Sequence, residues 1–214
     1  MNPMQYGLLY VFGDPNTCKT TMIKQWKEEK ISLAEYRPTK GISTTYNKMI
    51  IKDEEYNVKI KETNGQDERD GDRVVSIEDR KHRLKENNNI PVFIYILFDV
   101  TRRETFQSID NFWIPFIQAH QLTAISTTII GTKSDQSLNR QVTEDEGKTF
   151  AEQHSFDYLE YSYLNEMFKI TDEMMKSISK CTNYEIAGHH ENIEKAEFIL
   201  NKDESNQKDK CTLL

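Results

Sequence analysis

Residues 13–21 read GDPNTCKTT, and they join an apolar run to a stretch with helical periodicity. Gly13, Lys19 and Thr20 match the phosphate-loop pattern G-x-x-x-x-G-K-[ST], whereas Cys18 stands where the pattern has its second glycine. In such a loop the backbone N–H groups surround phosphate oxygens, the lysine reaches the terminal phosphates, and the hydroxyl binds Mg²⁺. The segment therefore predicts a phosphate-binding loop with one irregular position.

The chain around this segment has the order strand, loop, helix that a phosphate loop requires. The apolar run QYGLLYVF (5–12) reads as a buried strand, and KTTMIKQWKEEK (19–30) reads as a helix. Further along, YNKMIIKD (46–53) and EYNVKIKE (55–62) alternate with period two around Asp53-Glu54-Glu55. This alternation predicts a hairpin.

The second half of the chain alternates apolar runs with amphipathic stretches. VFIYILFDV (92–100) is a continuous apolar strand of the kind that is buried on both faces. In VTEDEGKTFAEQH (142–154), Thr143 and Glu146 form a capping-box pattern at the start of a helix. This alternation predicts a doubly wound, mostly parallel α/β sheet. The remaining predicted elements are strands in 126–135 and 156–162 and helices over 103–120 and 165–180.

Length, charge and cysteine content set limits on the class of protein. The 214 residues suit one domain over residues 1–180 and a flexible polar tail over residues 181–214. The net charge of −7 offers no basic field for phosphodiesters, so we expect no nucleic-acid partner. Three widely spaced cysteines do not indicate a disulfide framework, and neither a signal peptide nor a membrane-spanning apolar run is visible. We therefore expect a protein of the cytosol.

Polar motifs recur where predicted strands end, which is where open α/β sheets bind ligands. Together with PTKG before the hairpin, the series resembles the small GTPases of the Ras superfamily. The Rab branch is the most similar, because the spacing from Thr39 to Glu62 needs no gap and DVTRRETF also looks Rab-like. The resemblance covers about residues 5–180. In chain order the motifs are GDPNTCKT (13–20), PTKG (38–41), ETNGQDE (62–68), TKSD (132–135) and YSYLN (161–165).

The resemblance implies that the chain binds GTP and GDP with Mg²⁺. Lys19 would neutralise the β- and γ-phosphates, Thr20 would ligate the metal, and Thr39 would close over both when GTP is bound. Glu62 would hold the metal through a water molecule. The loop residues expected around the phosphates are Gly13, Asp14, Pro15, Asn16, Thr17, Cys18, Lys19, Thr20 and Thr21.

The resemblance also implies residues for hydrolysis and base recognition. Gln66 matches the glutamine that orients the attacking water, and Gly65 matches the glycine whose N–H contacts the γ-phosphate. Loss of that phosphate would release this loop and the Thr39 loop. Asp135 would accept hydrogen bonds from guanine with both carboxylate oxygens, a geometry that rejects adenine. The expected guanine-site residues are Thr132, Lys133, Asp135, Ser162 and Tyr163.

Several positions depart from the family pattern, and they fall on the nucleotide site. The Cβ of Cys18 would carry a steric cost if the backbone there keeps a positive φ. Asn16 is less costly, because asparagine tolerates left-handed backbone. Glu62 replaces an aspartate, and its extra methylene would crowd Mg²⁺ or the water bound to it. Tyr163 replaces an alanine beside Ser162, so we expect a weakened contact with guanine.

The expected partner surface and the chain end carry further features. Thr44 and Lys61 occupy positions where Rab proteins usually have aromatic residues, so an effector would meet a more polar surface. The stretch between Gln66 and Pro91 is about ten residues longer than in the family, a length typical of function or disorder. The terminal CTLL is a C-a-a-X box that predicts geranylgeranylation of Cys211 by a prenyltransferase. A single lipid would give reversible membrane attachment, with a soluble carrier masking the lipid.

Together these features predict a divergent Rab-like GTPase that hydrolyses GTP slowly on the cytosolic side of an internal membrane, in vesicle-mediated transport. Its partners would be a guanine-nucleotide exchange factor, a GTPase-activating protein and effectors. Two alternatives stay open. One is a pseudo-GTPase scaffold that no longer cycles nucleotide, which Cys18, Glu62 and Tyr163 favour. The other is a Ras- or Rho-type signalling switch, which TKSD, CTLL and the missing aromatic residues favour.

Overall fold

Six strands form one sheet in the part of the chain that the structure describes. The computed structural model describes residues 5–27, 42–51, 54–63 and 92–163, which all lie in the unit Met1–Cys181. The sheet order is β2-β3-β1-β4-β5-β6; β2 runs antiparallel to β3, and the other neighbouring pairs are parallel. The predicted mostly parallel, doubly wound sheet is confirmed. The strands are β1 (Gln5–Gly13), β2 (Ile42–Ile51), β3 (Glu54–Thr63), β4 (Val92–Asp99), β5 (Ser126–Thr132) and β6 (Asp157–Tyr161).

The predicted helix over 103–120 is interrupted by a π-helical turn. Pro115 lies in the first turn of the segment after it, and a proline ring cannot donate the regular hydrogen bond to the carbonyl four residues earlier. The regular α-helical pattern is therefore opened just before this proline. The helical elements are α1 (Lys19–Trp26), α2 (Arg103–Ser108), the π turn (Ile109–Trp113), α3 (Ile114–Ala119), a 3₁₀ turn (Ser137–Asn139) and α4 (Glu144–Gln153).

The capping box at the start of α4 is present as predicted. The Thr143 hydroxyl accepts from the Glu146 backbone N–H at 3.2 Å, and the Glu146 carboxylate accepts from the Thr143 backbone N–H at 2.8 Å. Each residue thus satisfies a backbone donor that a helix start leaves without an intrahelical partner.

The central strands β1 and β4 are buried on both faces, which explains their continuous apolar runs. Along β1, Leu9 and Val11 pack on the face that also receives Met22 of α1. The alternate residues of β1, Tyr10 and Phe12 among them, pack on the opposite face with Trp113. Because β1 lies between β3 and β4, the loop that follows it lies at the centre of the carboxyl edge of the sheet.

The predicted hairpin between β2 and β3 is present, with one correction. Pairing continues to Ile51 opposite Glu54, so β3 begins at Glu54, one residue before the predicted run EYNVKIKE (55–62). The ladder leaves only two residues between the strands. Thr44 lies directly opposite Lys61, and Lys61 is 3% exposed, with its ammonium 5.9 Å from the centroid of the Tyr10 ring.

Several sequence-based predictions fall outside the described residues, and they stay predictions. They concern the helix over 165–180, the loop 38–41, the stretch 64–91 and the tail with Cys211. Within the described ranges, no helix combines the length and the apolar composition needed to cross a membrane.

Candidate functional site

The loop between β1 and α1 contains three residues with positive φ. Gly13 has φ 138°, and a Cβ there would lie 2.3 Å from the carbonyl oxygen of Leu97, so this position requires glycine. Asn16 and Cys18 are left-handed, with φ of 62° and 61°. Asparagine is enriched in this region of backbone space, whereas cysteine is rare there. The loop therefore holds strain at Cys18, of the order of 1–3 kcal/mol.

The Cys18 side chain lies between this loop and the loop that follows β5. It is partly buried and packs against the core cluster on the α1 face of the sheet. Burial raises the pKa of its thiol, and the neighbouring Lys133 ammonium offsets that effect only in part. The thiol is therefore protonated at neutral pH and behaves as a small apolar group.

Lys19, the first residue of α1, is buried inside the loop. Its Nζ donates to the carbonyl oxygens of Gly13 and Asp14, both at 2.8 Å. The Thr17 hydroxyl donates to the same Asp14 carbonyl at 2.8 Å. Burial lowers the pKa of Lys19 from 10.5 to about 8, against the opposing effect of the Glu62 carboxylate. Lys19 thus keeps most of its positive charge at neutral pH, as a phosphate-binding ammonium requires.

This lowered pKa predicts a rise of stability with pH. Between about pH 8 and pH 10.5 the unfolded chain holds the Lys19 proton more tightly than the folded chain, so raising the pH favours the folded state. We expect the free energy of unfolding of the parent, relative to Lys19→Met, to rise by about 1–3 kcal/mol across this window. Urea unfolding at pH 7.5, 8.5 and 9.5 measures the difference. Parallel pH profiles for the two proteins would contradict the prediction.

Thr20 and Glu62 meet at the carboxyl ends of β1 and β3. The Thr20 hydroxyl donates to the Glu62 carboxylate, and Glu62 is buried. Hydroxyl and carboxylate oxygens suit Mg²⁺, which usually takes one or two protein ligands beside phosphate oxygens and water. The pair therefore fits the predicted metal site, and its two side chains are hydrogen-bonded to each other. Thr39 lies outside the described residues, and within those residues no group of three acidic, cysteine or histidine side chains forms a metal cluster.

The predicted guanine-site residues lie on two adjacent loops, after β5 and after β6. The Asp135 carboxylate accepts from the Ser162 hydroxyl at 2.6 Å, which joins the two loops. Thr132 is buried, and its hydroxyl donates to the Phe98 carbonyl at 2.8 Å. This hydrogen bond links β5 to β4. Tyr163 is 37% exposed. Asp135 is itself exposed, so its carboxylate is open to a ligand.

Asp99, at the end of β4, connects the loop after β5 to the phosphate loop. Its Oδ2 accepts from Lys133 Nζ at 2.5 Å and from Arg102 Nε at 3.1 Å. The Arg102 guanidinium also donates to the Pro15 carbonyl at 2.8 Å. Burial alone would raise the pKa of Asp99, but the hydrogen bonds from Lys133 and Thr101 outweigh it, and the pKa lies below its ordinary value. One buried carboxylate thus connects the loop after β5, through Arg102, to the loop between β1 and α1.

Two further contacts support the loops after β5 and β6. Gln25 of α1 accepts from the Tyr161 hydroxyl and donates to the Tyr163 carbonyl, the latter at 3.1 Å. Arg140 forms a two-point ion pair with Glu160, at 2.7 and 2.8 Å. A bidentate pair of this kind fixes orientation as well as distance, so β6 and the segment after β5 are held together.

The structure places the described members of the predicted site at one edge of the sheet. They are the loop 13–18, Lys19, Thr20, Thr21 and Glu62 on one side, and Thr132, Lys133, Asp135, Ser162 and Tyr163 on the other. Thr39, Gly65, Gln66 and Cys211 fall outside the described residues, and their roles stay predictions. The site residues predicted from the sequence did not include Asp99, Arg102 or Arg140, although DVTRRETF, which contains the first two, is similar to the family.

Comparison with known proteins agrees with this arrangement. The Ras family model matches residues 8–183. Ras-related protein RABA6b of Arabidopsis thaliana is 27% identical over 154 residues, which is 72% of this chain and 62% of that protein. Ras-related protein RABA5e of the same plant is 26% identical over 157 residues, 73% of this chain and 66% of that protein. Ras-related protein rab-39 of Caenorhabditis elegans is 32% identical over 166 residues, 74% of this chain and 65% of that protein.

Each of these matches spans less than two thirds of the length of the relative. The family match nevertheless covers most of this chain, including the phosphate loop and the loops after β5 and β6. The resemblance inferred from the five motifs is confirmed, and the chain belongs to the Ras family as a divergent, Rab-like member.

Proposed function

We propose that the chain is a guanine-nucleotide switch that binds GTP and GDP with Mg²⁺ and hydrolyses GTP slowly. One observation carries this proposal: a buried cationic lysine, a hydroxyl–carboxylate pair and an exposed carboxylate lie at one edge of the sheet. They are Lys19, the pair Thr20 and Glu62, and Asp135 held by Ser162. Their chemistry suits phosphates, Mg²⁺ and the N–H groups of guanine, respectively.

Each of these residues would have a separate role in nucleotide binding or hydrolysis. Lys19 would offset phosphate charge, and the oxygens of Thr20 and Glu62 would hold Mg²⁺, which supplies further charge neutralisation when bound. Asp135 would accept two hydrogen bonds from guanine, a pattern that adenine lacks. Gln66, outside the described residues, would orient the attacking water. Exchange factors, activating proteins and effectors would set the rate of cycling.

The second candidate function is a scaffold of the same fold that no longer cycles nucleotide. The left-handed backbone at Cys18 favours it, because the strain there acts against the loop conformation that binds phosphate.

Action at an internal membrane in vesicle-mediated transport, with Cys211 lipidated, is the biological setting that the Rab resemblance implies. It is part of the proposal, and it depends on the cycling function.

Replacing Cys18 with glycine separates the two candidate functions. We expect the parent to bind GDP in preference to ADP, and Cys18→Gly to raise GDP affinity about tenfold by removing strain of the order of 1–3 kcal/mol. Binding of fluorescent GDP and ADP, with Mg²⁺, measures both effects. Asn16→Gly is the matched control: it relaxes the other left-handed position, where asparagine is tolerated, so we expect a smaller gain.

The outcomes of this experiment are distinct. Guanine-selective binding by the parent supports the switch. Binding only after Cys18→Gly supports the scaffold and places the loss of function at this residue. If neither protein binds guanine nucleotide, the proposed function is wrong.

A further inference from the structure

Three side chains from the stretch between Arg102 and Trp113 reach two consecutive residues of the phosphate loop. The Ser108 hydroxyl lies 2.8 Å from Asp14 Oδ2, and Trp113 Nε1 donates to Asp14 Oδ1 at 3.0 Å. The Arg102 guanidinium donates to the Pro15 carbonyl at 2.8 Å. We call these three side chains the loop clamp.

The contacts to Asp14 are buried, which makes them strong. Asp14 is 2% exposed and Trp113 is fully buried, so water cannot replace the donors that the protein supplies. Ser108 also lies 2.8 Å from the Glu104 carbonyl, and its single proton is shared between two acceptors, of which the charged carboxylate is the stronger. Each oxygen of the carboxylate thus has a donor from the same helical stretch.

The position of the Trp113 donor is itself fixed by packing. The indole stacks on Phe12 at 5.7 Å between centroids and meets Phe112 edge-on at 4.9 Å. Trp113 is also the last residue of the π turn, whose altered winding sets where this side chain leaves the helix. The indole cannot leave Asp14 without disturbing the core on that face of the sheet.

Asp14 is also one of the two residues whose carbonyl oxygens accept hydrogen bonds from Lys19. The Asp14 carbonyl accepts from Lys19 Nζ and from the Thr17 hydroxyl. Fixing the Asp14 side chain therefore fixes the backbone segment around which the phosphate-binding groups are arranged. Two residues further on, at Asn16, the backbone becomes left-handed, and it is left-handed again at Cys18.

Strained backbone persists only where the surrounding structure over-determines it. We propose that the loop clamp, formed by Arg102, Ser108 and Trp113, holds the phosphate loop in the left-handed conformation that Cys18 disfavours. The three residues are positioning residues for nucleotide binding and act through Asp14 and Pro15. This inference rests on the proposed function, since nucleotide affinity is its readout.

The clamp and the strain act in opposite directions on one equilibrium, between a binding-competent loop and a relaxed one. The apparent affinity is the intrinsic affinity multiplied by the fraction of competent loop. With cysteine at position 18 the clamp offsets only part of the strain, so each lost clamp contact lowers the fraction of competent loop almost in full. With glycine at position 18 the strain is absent and most molecules have the competent loop. Losing the same contact therefore lowers the fraction of competent loop by a smaller factor.

The test is a double-mutant cycle between Ser108→Ala and Cys18→Gly on the full chain, with GDP affinity and dissociation rate measured in Mg²⁺. We expect Ser108→Ala to weaken GDP binding about tenfold in the parent and at most about threefold in the Cys18→Gly background. Arg102→Met, which keeps the aliphatic stem, should show the same asymmetry. Gln107→Ala, an exposed position on the same helix, is the matched control and should leave the affinity unchanged in both backgrounds.

A purely structural role for Ser108 would weaken binding by the same factor in both backgrounds. Equal factors, or no loss in the parent, would overturn the clamp while leaving the proposed function in place. Absence of GDP binding in both the parent and Cys18→Gly would instead overturn the proposed function, and the clamp's role in nucleotide binding with it.

Discussion

Replacing Lys19 with methionine is expected to weaken GDP binding by about a hundredfold or more, while the fold is retained. The ammonium is buried inside the phosphate loop, and charge-assisted hydrogen bonds to phosphate in such a site contribute about 1.5–3 kcal/mol each. A loss of about 2.7 kcal/mol corresponds to a hundredfold change in affinity. Burial of Lys19 is costly in the free protein, as its lowered pKa shows, so we expect the unfolding midpoint to fall little or to rise.

The measurements are titration with fluorescent GDP and thermal unfolding without nucleotide. Lys24→Met is the matched control, because Lys24 is an exposed lysine on the same helix and should change neither quantity. Undiminished affinity in Lys19→Met would show that the ammonium does not contact the phosphates. A large fall in the unfolding midpoint would show that Lys19 acts mainly in the fold.

The second large effect is expected at Asp99, this time on stability. Asp99→Asn keeps the shape of the side chain but removes the charge that pairs with Lys133 and Arg102. The Asp99 side chain is fully buried, whereas its partners are partly exposed and can regain water. We therefore expect a loss of about 2–3 kcal/mol in the free energy of unfolding at pH 7, measured by urea denaturation.

The pH dependence gives an internal check on that prediction. Because the pKa of Asp99 is lowered in the folded state, its stabilising effect is present above the unfolded pKa, near 3.9, and is lost as the pH falls further. The stability difference between the parent and Asp99→Asn should therefore shrink below about pH 4. Asp110→Asn, on an exposed part of the π turn, should change stability by less than about 0.5 kcal/mol. A difference that persists at low pH would contradict the electrostatic explanation.

The fold was accessible from sequence because its determinants are local. A continuous apolar run as short as 92–100 favours a strand buried on both faces over a longer helix. The capping box at Thr143 marks a helix start without reference to the rest of the chain. The turn of the hairpin was misplaced by one residue, since Glu54 already belongs to the strand. Glu54 resembles a turn residue in composition, whereas the pairing register decides its position.

The site was predictable only in part, for a similar reason. The left-handed backbone at Cys18 follows from the loop pattern, so residue type and spacing were sufficient to expect strain there. The contacts of Arg102, Ser108 and Trp113 with the loop join residues 87 to 99 positions apart. No periodicity encodes such a pair, and the π turn that positions Trp113 is not visible as a pattern in 103–120.

The central place of β1 in the sheet has a consequence for biosynthesis. Leu8 pairs with Lys59 on one side and with Val92 on the other, and both pairings are parallel. During translation, β1 leaves the ribosome well before β3 and β4 have been synthesised. Its apolar side chains therefore remain uncovered until those strands are available. Such distant parallel pairings form slowly. The nascent chain therefore carries an uncovered apolar strand until β4 has emerged, and this is the interval in which a chaperone would be needed.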